Sequence, residues 1–123
     1  MARLRVTLLV GLLLTSALVL SSCGSGGAVA DARHSCRDVT LALAIQRRSR
    51  APWLSSVQRD RLQNKALAQL LRATPSAAAA TSIDGSWNAL MTTINEAERV
   101  PIENLVPALT RLCKVADSST PYL

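Results

Sequence analysis

Hydrophobic and polar positions divide the chain into two unlike parts. Residues 6–20 are almost wholly apolar, behind a short basic start at Arg3 and Arg5. About 15 residues is the length of a signal-peptide core and falls short of the ~18–20 needed to cross a bilayer. From residue 35 onward the apolar positions recur at helical spacing instead.

Four helical segments follow. Ser35 has the character of an N-cap, with Asp38 in the first turn, and it opens a helix over 35–49 that is apolar on nearly all sides. Ala51-Pro52-Trp53 ends it. Ser55 and Gln58 form a capping-box pair for a second helix, in which Leu62, Ala66, Leu70 and Ala73 share a face. That helix ends before Thr74-Pro75. Residues 76–82 are alanine-rich and read equally as a loop or a helix extension. Asp84-Gly85 marks a turn or helix start, after which Trp87, Leu90, Met91 and Ile94 lie at i, i+3, i+4 and i+7. The fourth segment begins at Pro101 and carries Ile102, Leu105, Val106, Leu109, Leu112, Cys113 and Ala116 on one stripe. Pro107 lies off the stripe and is expected to kink or split this helix. The fold class is therefore all-α, a small four-helix bundle of up-down-up-down order.

The junction between the two parts carries the sequence Leu20-Ser21-Ser22-Cys23. An aliphatic residue, two small residues and a cysteine, behind a basic start and an apolar core, resemble the lipobox of bacterial lipoproteins. The resemblance covers about the first quarter of the chain. It implies cleavage before Cys23, a diacylglycerol on the Cys23 sulfur, and anchorage at the extracytoplasmic face of the cell membrane. A single acyl chain binds membranes only marginally, whereas two or more anchor durably. The organisation expected is a signal peptide over 1–22, a lipidated cysteine and flexible linker over 23–34, a helical domain over 35–117 and a frayed tail over 118–123. Ala28-Val29-Ala30 offers a competing cleavage site that would release a soluble chain starting at Asp31.

Export changes the reading of the other cysteines. Cys36 and Cys113 would meet an oxidising compartment, where two remaining thiols usually pair. In an up-down-up-down bundle the start of the first helix and the end of the fourth share an end, which suits a bond closing a loop of about 78 residues. Such a loop is worth about 4 kcal/mol in the chain-entropy model. The alternative, two free or metal-binding thiols, has no Cys-x-x-Cys or histidine partner to support it.

Charge adds a location within the domain. The whole chain carries 14 Lys and Arg against 8 Asp and Glu, and removing Arg3 and Arg5 with the signal peptide leaves about +4. Nucleic acid is not the partner expected of an exported protein. Anionic headgroups or acidic wall polymers are. Arg47, Arg48 and Arg50 cluster at the end of the first helix, with Trp53 in the loop behind them. These four are the candidate contact for a partner in the envelope. The plainer alternatives are arginines complementing a helix C-terminus and a tryptophan capping the bundle.

Reaction chemistry finds no constellation. His34 is the single histidine and stands beside Ser35 near Asp38, sequence neighbours at a helix start and not a triad in a shaped pocket. Glu96 and Glu98, two apart, point to different helix faces. No phosphate loop, paired-histidine motif or serine elbow occurs. The expectation is a non-enzymatic, lipid-anchored interaction module without metal or cofactor. The alternative is a carrier or sensor holding a small apolar ligand or lipid in a cavity of a few hundred Å³ lined by the first and fourth helices.

Overall fold

The computed structural model describes residues 25–118, and these are all-α. Five helices occur: α1 (Ser25–Ser49), α2 (Ser56–Leu71), α3 (Thr74–Ile83), α4 (Asn88–Glu96) and α5 (Ile102–Ser118), with a 3₁₀ turn at Gly85–Trp87 leading into α4. Residues 1–24, which include the expected signal peptide over 1–22 and Cys23, and residues 119–123 lie outside the described residues.

α2 and α3 act as one leg. Pro75 has no N–H to give to Leu71, so the α-helical ladder breaks there and resumes within two residues. Across this leg α1 runs antiparallel. Gly27 faces Ile83, Ser35 bonds to Ala73, and Asp38 accepts from Gln69 at 2.8 Å. On its other side α1 meets α5, also antiparallel: Arg33 bonds to the Ala116 carbonyl, Cys36 to Cys113, and Gln46 to Glu103. α4 packs between α3 and α5, completing four legs in up-down-up-down order.

The α1 seam explains its length. Ala28, Ala32, Ser35, Val39, Ala42, Gln46 and Ser49 are all buried. Their alternating spacing of four and three keeps one narrow face against the neighbouring legs. The facing leg buries Ala66, Leu70, Ala73, Ala77 and Ala80 at the same alternation, continuing through the α2–α3 break. Most of these side chains are small, so the two backbones can approach closely. Bulk is supplied by the other legs, where Trp87, Leu90, Ile94 and Leu109 are buried.

Three expectations are corrected. The flexible linker over 23–34 is replaced from Ser25 onward by the first turns of α1, with Ala28 and Ala32 buried. Ser35 is accordingly an interior helical residue and not an N-cap. Of the two readings left open for the alanine-rich residues 76–82, loop or helix, the structure has helix, as part of α3. The cysteine bond is not at the helix-1 start. Cys36 lies eleven residues beyond Ser25, a rise of about 16 Å along α1.

Other features stand as expected. Ser55 and Gln58 form the reciprocal capping box, at 3.2 Å and 2.9 Å. α5 is continuous through Pro107, so of the two outcomes expected there the split does not occur. The Cys36–Cys113 disulfide joins Cα atoms 5.4 Å apart, within the ordinary range.

Candidate functional site

The connection between α1 and α2 is short and internally bonded. Arg47 and Arg48 form the last turn of α1. Their carbonyls accept from the amides of Arg50 and Ala51, each at 3.2 Å, and the Ala51 carbonyl accepts from Leu54 at 3.3 Å. Ser49 is buried and its hydroxyl donates to the Gln46 carbonyl at 2.6 Å. The Ser55 cap then fixes the start of α2. Backbone bonding along this connection, and not packing of Trp53, holds the tip in shape.

Trp53 is 82% exposed, so it does not cap the bundle. Beside it lies an open groove of about 690 Å³, lined by Arg47, Arg48, Arg50 and Trp53 with Ala44, Leu54 and Leu62 as apolar floor. All four sequence candidates thus meet in one place. Leu54 and Leu62 are additions. Leu62 is legible only as a member of the second helix's apolar face, and nothing in its spacing separates a groove residue from a core residue.

Arg47, Arg48 and Arg50 are exposed and form no side-chain ion pair or hydrogen bond among the described residues. The charge distribution is uneven. Residues 47–61 hold five arginines against Asp60 alone, an excess of four positive charges. The remaining described residues hold seven cations and seven anions. The whole net charge of the domain therefore belongs to the α1–α2 tip.

Elsewhere the predicted positions are dispersed. His34 is exposed and bonds to the Arg37 guanidinium, whereas Ser35 is buried and donates to Ala73. Asp38 is engaged by Gln69. These three do not converge. Cys36 and Cys113 are buried in their disulfide. Glu96 pairs with Arg99 at 2.7 Å on the surface. Asp84 caps the 3₁₀ turn. The Ser86 amide, bonded at 2.9 Å, holds its carboxyl below the usual carboxylate range, assisted by the Ser86 side chain. Trp87 Nε1 is buried without a hydrogen-bond partner among the described residues. Among those residues there is no cluster of His, Cys, Asp or Glu arranged for a metal, and no helix is long and apolar enough to cross a membrane.

Two further grooves exist. One of about 430 Å³ lies between α2 and the α4–α5 connection, beside the Gln46–Glu103 hydrogen bond. The other, about 380 Å³, runs between α1 and α5 over Val39, Leu43, Leu109 and Cys113, with Arg47 and Lys114 on its rim.

Comparison with family models, curated proteins and solved structures finds no match for this chain.

Proposed function

We propose that the protein is a lipid-anchored component of the cell envelope that works by contact and not by catalysis. In this reading Cys23 holds the chain to the extracytoplasmic face of the membrane, and the α1–α2 tip meets a partner there. The observation that carries it is the tip itself. An exposed tryptophan and three unpaired arginines share a groove that holds three of the domain's four excess positive charges. Tryptophan and arginine are the residue types that most often dominate binding energy at interfaces. The disulfide, the cap and the buried seam concern the fold alone.

Crosslinking tests the tip. A photo-reactive side chain at Ala51, introduced into the full chain in its native membrane, is expected to give discrete adducts. Trp53→Ala with Arg47→Ala should abolish them, and an unchanged adduct set would contradict the proposal. Cell fractionation tests the anchor. Cys23→Ala should abolish acylation and weaken membrane attachment, and full lipid-independent attachment would count against the lipobox reading.

A second reading has one observation in its favour. The 380 Å³ groove between α1 and α5 has the size and the two lining helices expected of an apolar-ligand carrier. It is open along its length and does not form an enclosed cavity, so the contact reading is preferred.

A further inference from the structure

We propose that the partner of the α1–α2 tip is an anionic phospholipid surface, with Arg47, Arg48 and Arg50 on lipid phosphates and Trp53 at the level of the headgroups. This rests on the reading of the tip as a contact surface and names what it contacts.

Three observations converge. First, the excess charge is confined to residues 47–61, so the domain presents a cationic end while the rest of its charges balance. Clustered basic residues are drawn to anionic bilayers over about a Debye length. Second, the cations nearest Trp53 are all arginines, whose planar forks match phosphate oxygens two at a time. Third, the exposed groups at the tip are mixed in character. Pro52 and Trp53 lie on the outermost connection, and Val57, 65% exposed, follows in the first turn of α2. Tryptophan settles preferentially at membrane–water interfaces, where its ring is apolar and its N–H is wet.

The groove matches the same chemistry. Its lining joins the exposed Arg47, Arg48, Arg50 and Trp53 to the half-buried Ala44, Leu54 and Leu62. A phospholipid has this division within one molecule, phosphate above and acyl carbon below. A groove of about 690 Å³ has room for a headgroup with the first part of its chains, well beyond what a bare phosphate would fill. An acidic protein segment would satisfy the arginines but has no need of an apolar floor beneath them. The tip also stands away from the start of α1. Twenty-five helical residues rise about 37 Å, so a chain anchored at Cys23 brings the tip to the same bilayer with α1 lying along its surface.

The two tryptophans make the test direct, because Trp53 is exposed and Trp87 is buried. The full chain carrying Trp87→Phe, which leaves Trp53 as the reporter, is reconstituted into phosphatidylcholine vesicles with or without phosphatidylglycerol. In the phosphatidylglycerol vesicles Trp53 emission should shift to the blue, and its quenching by aqueous acrylamide should fall several-fold. Raising the salt concentration, or replacing Arg47, Arg48 and Arg50 with alanine, should remove the difference. Equal quenching in both vesicles would overturn the assignment. So would protection by inorganic phosphate alone in phosphatidylcholine vesicles, since the ligand would then be the free anion. If the lipid effect is absent but Ala51 crosslinking still yields a protein adduct lost in the Trp53→Ala, Arg47→Ala variant, the tip is a contact surface for a protein. If both are absent, the contact reading falls as well.

Discussion

The Ser35 hydroxyl donates a 3.0 Å hydrogen bond to the Ala73 carbonyl, tying the middle of α1 to the junction of α2 and α3. Both residues are fully buried. The same carbonyl also accepts the first turn of α3, from the Ala77 amide at 3.1 Å. Ser35 therefore adds a second bond to an acceptor that is already satisfied. Ser35→Ala should cost about 1 kcal/mol, the ordinary net worth of such a bond, with no orphaned carbonyl left behind. Urea unfolding measures it, and an unchanged midpoint would contradict the role given to Ser35.

The disulfide spans 77 positions and joins α1 to α5. Replacing Cys36 and Cys113 together by alanine should lower stability by about 4 kcal/mol, chiefly by freeing the unfolded chain. Small domains have only about 5–15 kcal/mol in total, so the variant should be partly unfolded at moderate temperature. Thermal unfolding by circular dichroism checks this. Equal melting of the oxidised protein and the double variant would show that the four legs hold without the bond.

The early start of α1 makes opposite predictions for neighbouring positions. A methyl group at Gly27 would meet Ile83 Cδ1 at 3.6 Å, an ordinary contact, so Gly27→Ala should stabilise by about 0.5–1 kcal/mol through helix propensity. Ala32 is fully buried in the seam, and Ala32→Leu should cost about 1–3 kcal/mol by overpacking. A flexible linker would be indifferent to both. Parallel unfolding curves for the two variants therefore distinguish helix from linker over this stretch.

Asp84 supplies a small acid-sensitive contribution. Hydrogen bonds from the Ser86 amide and side chain favour its ionised form, so its folded pKa lies below the ordinary carboxylate value. A lowered folded pKa stabilises the protein above the unfolded value, and this contribution is lost as pH falls through the folded one. The stability difference between the natural protein and Asp84→Ala should thus shrink on acidification through the carboxylate range. Thermal melts across that range test it, and a difference that grows on acidification would have the wrong sign.

Where residue size and spacing agreed, the helices could be read directly. The α5 stripe from Ile102 to Ala116, the Ser55–Gln58 box and the Trp87–Ile94 face all depend on large apolar groups or a local hydrogen-bond pair. Seams built from alanine, glycine and serine were opaque. Residues 25–34 have the composition of a linker, and 76–82 suit a loose loop as well as a helix, because small side chains carry little hydropathy signal. Their burial depends on a neighbouring backbone coming close, which is a tertiary fact. Ser35 is ambiguous for the same reason: serine suits a cap and also a tight helix–helix contact. The tip residues Arg47, Arg48, Arg50 and Trp53 were legible as a cluster. The groove floor of Leu54 and Leu62 was not, since exposure along an apolar face depends on which leg covers it.

The proposal that the tip serves contact and not folding is tested most directly on one variant, Trp53→Ala with Arg47→Ala. Urea unfolding and Ala51 crosslinking are measured on the same protein. Both side chains are exposed, so stability should stay within about 0.5 kcal/mol of the natural protein while the crosslinked adducts disappear. Adducts that persist at full yield, or that vanish only in step with a lost fold, would contradict it.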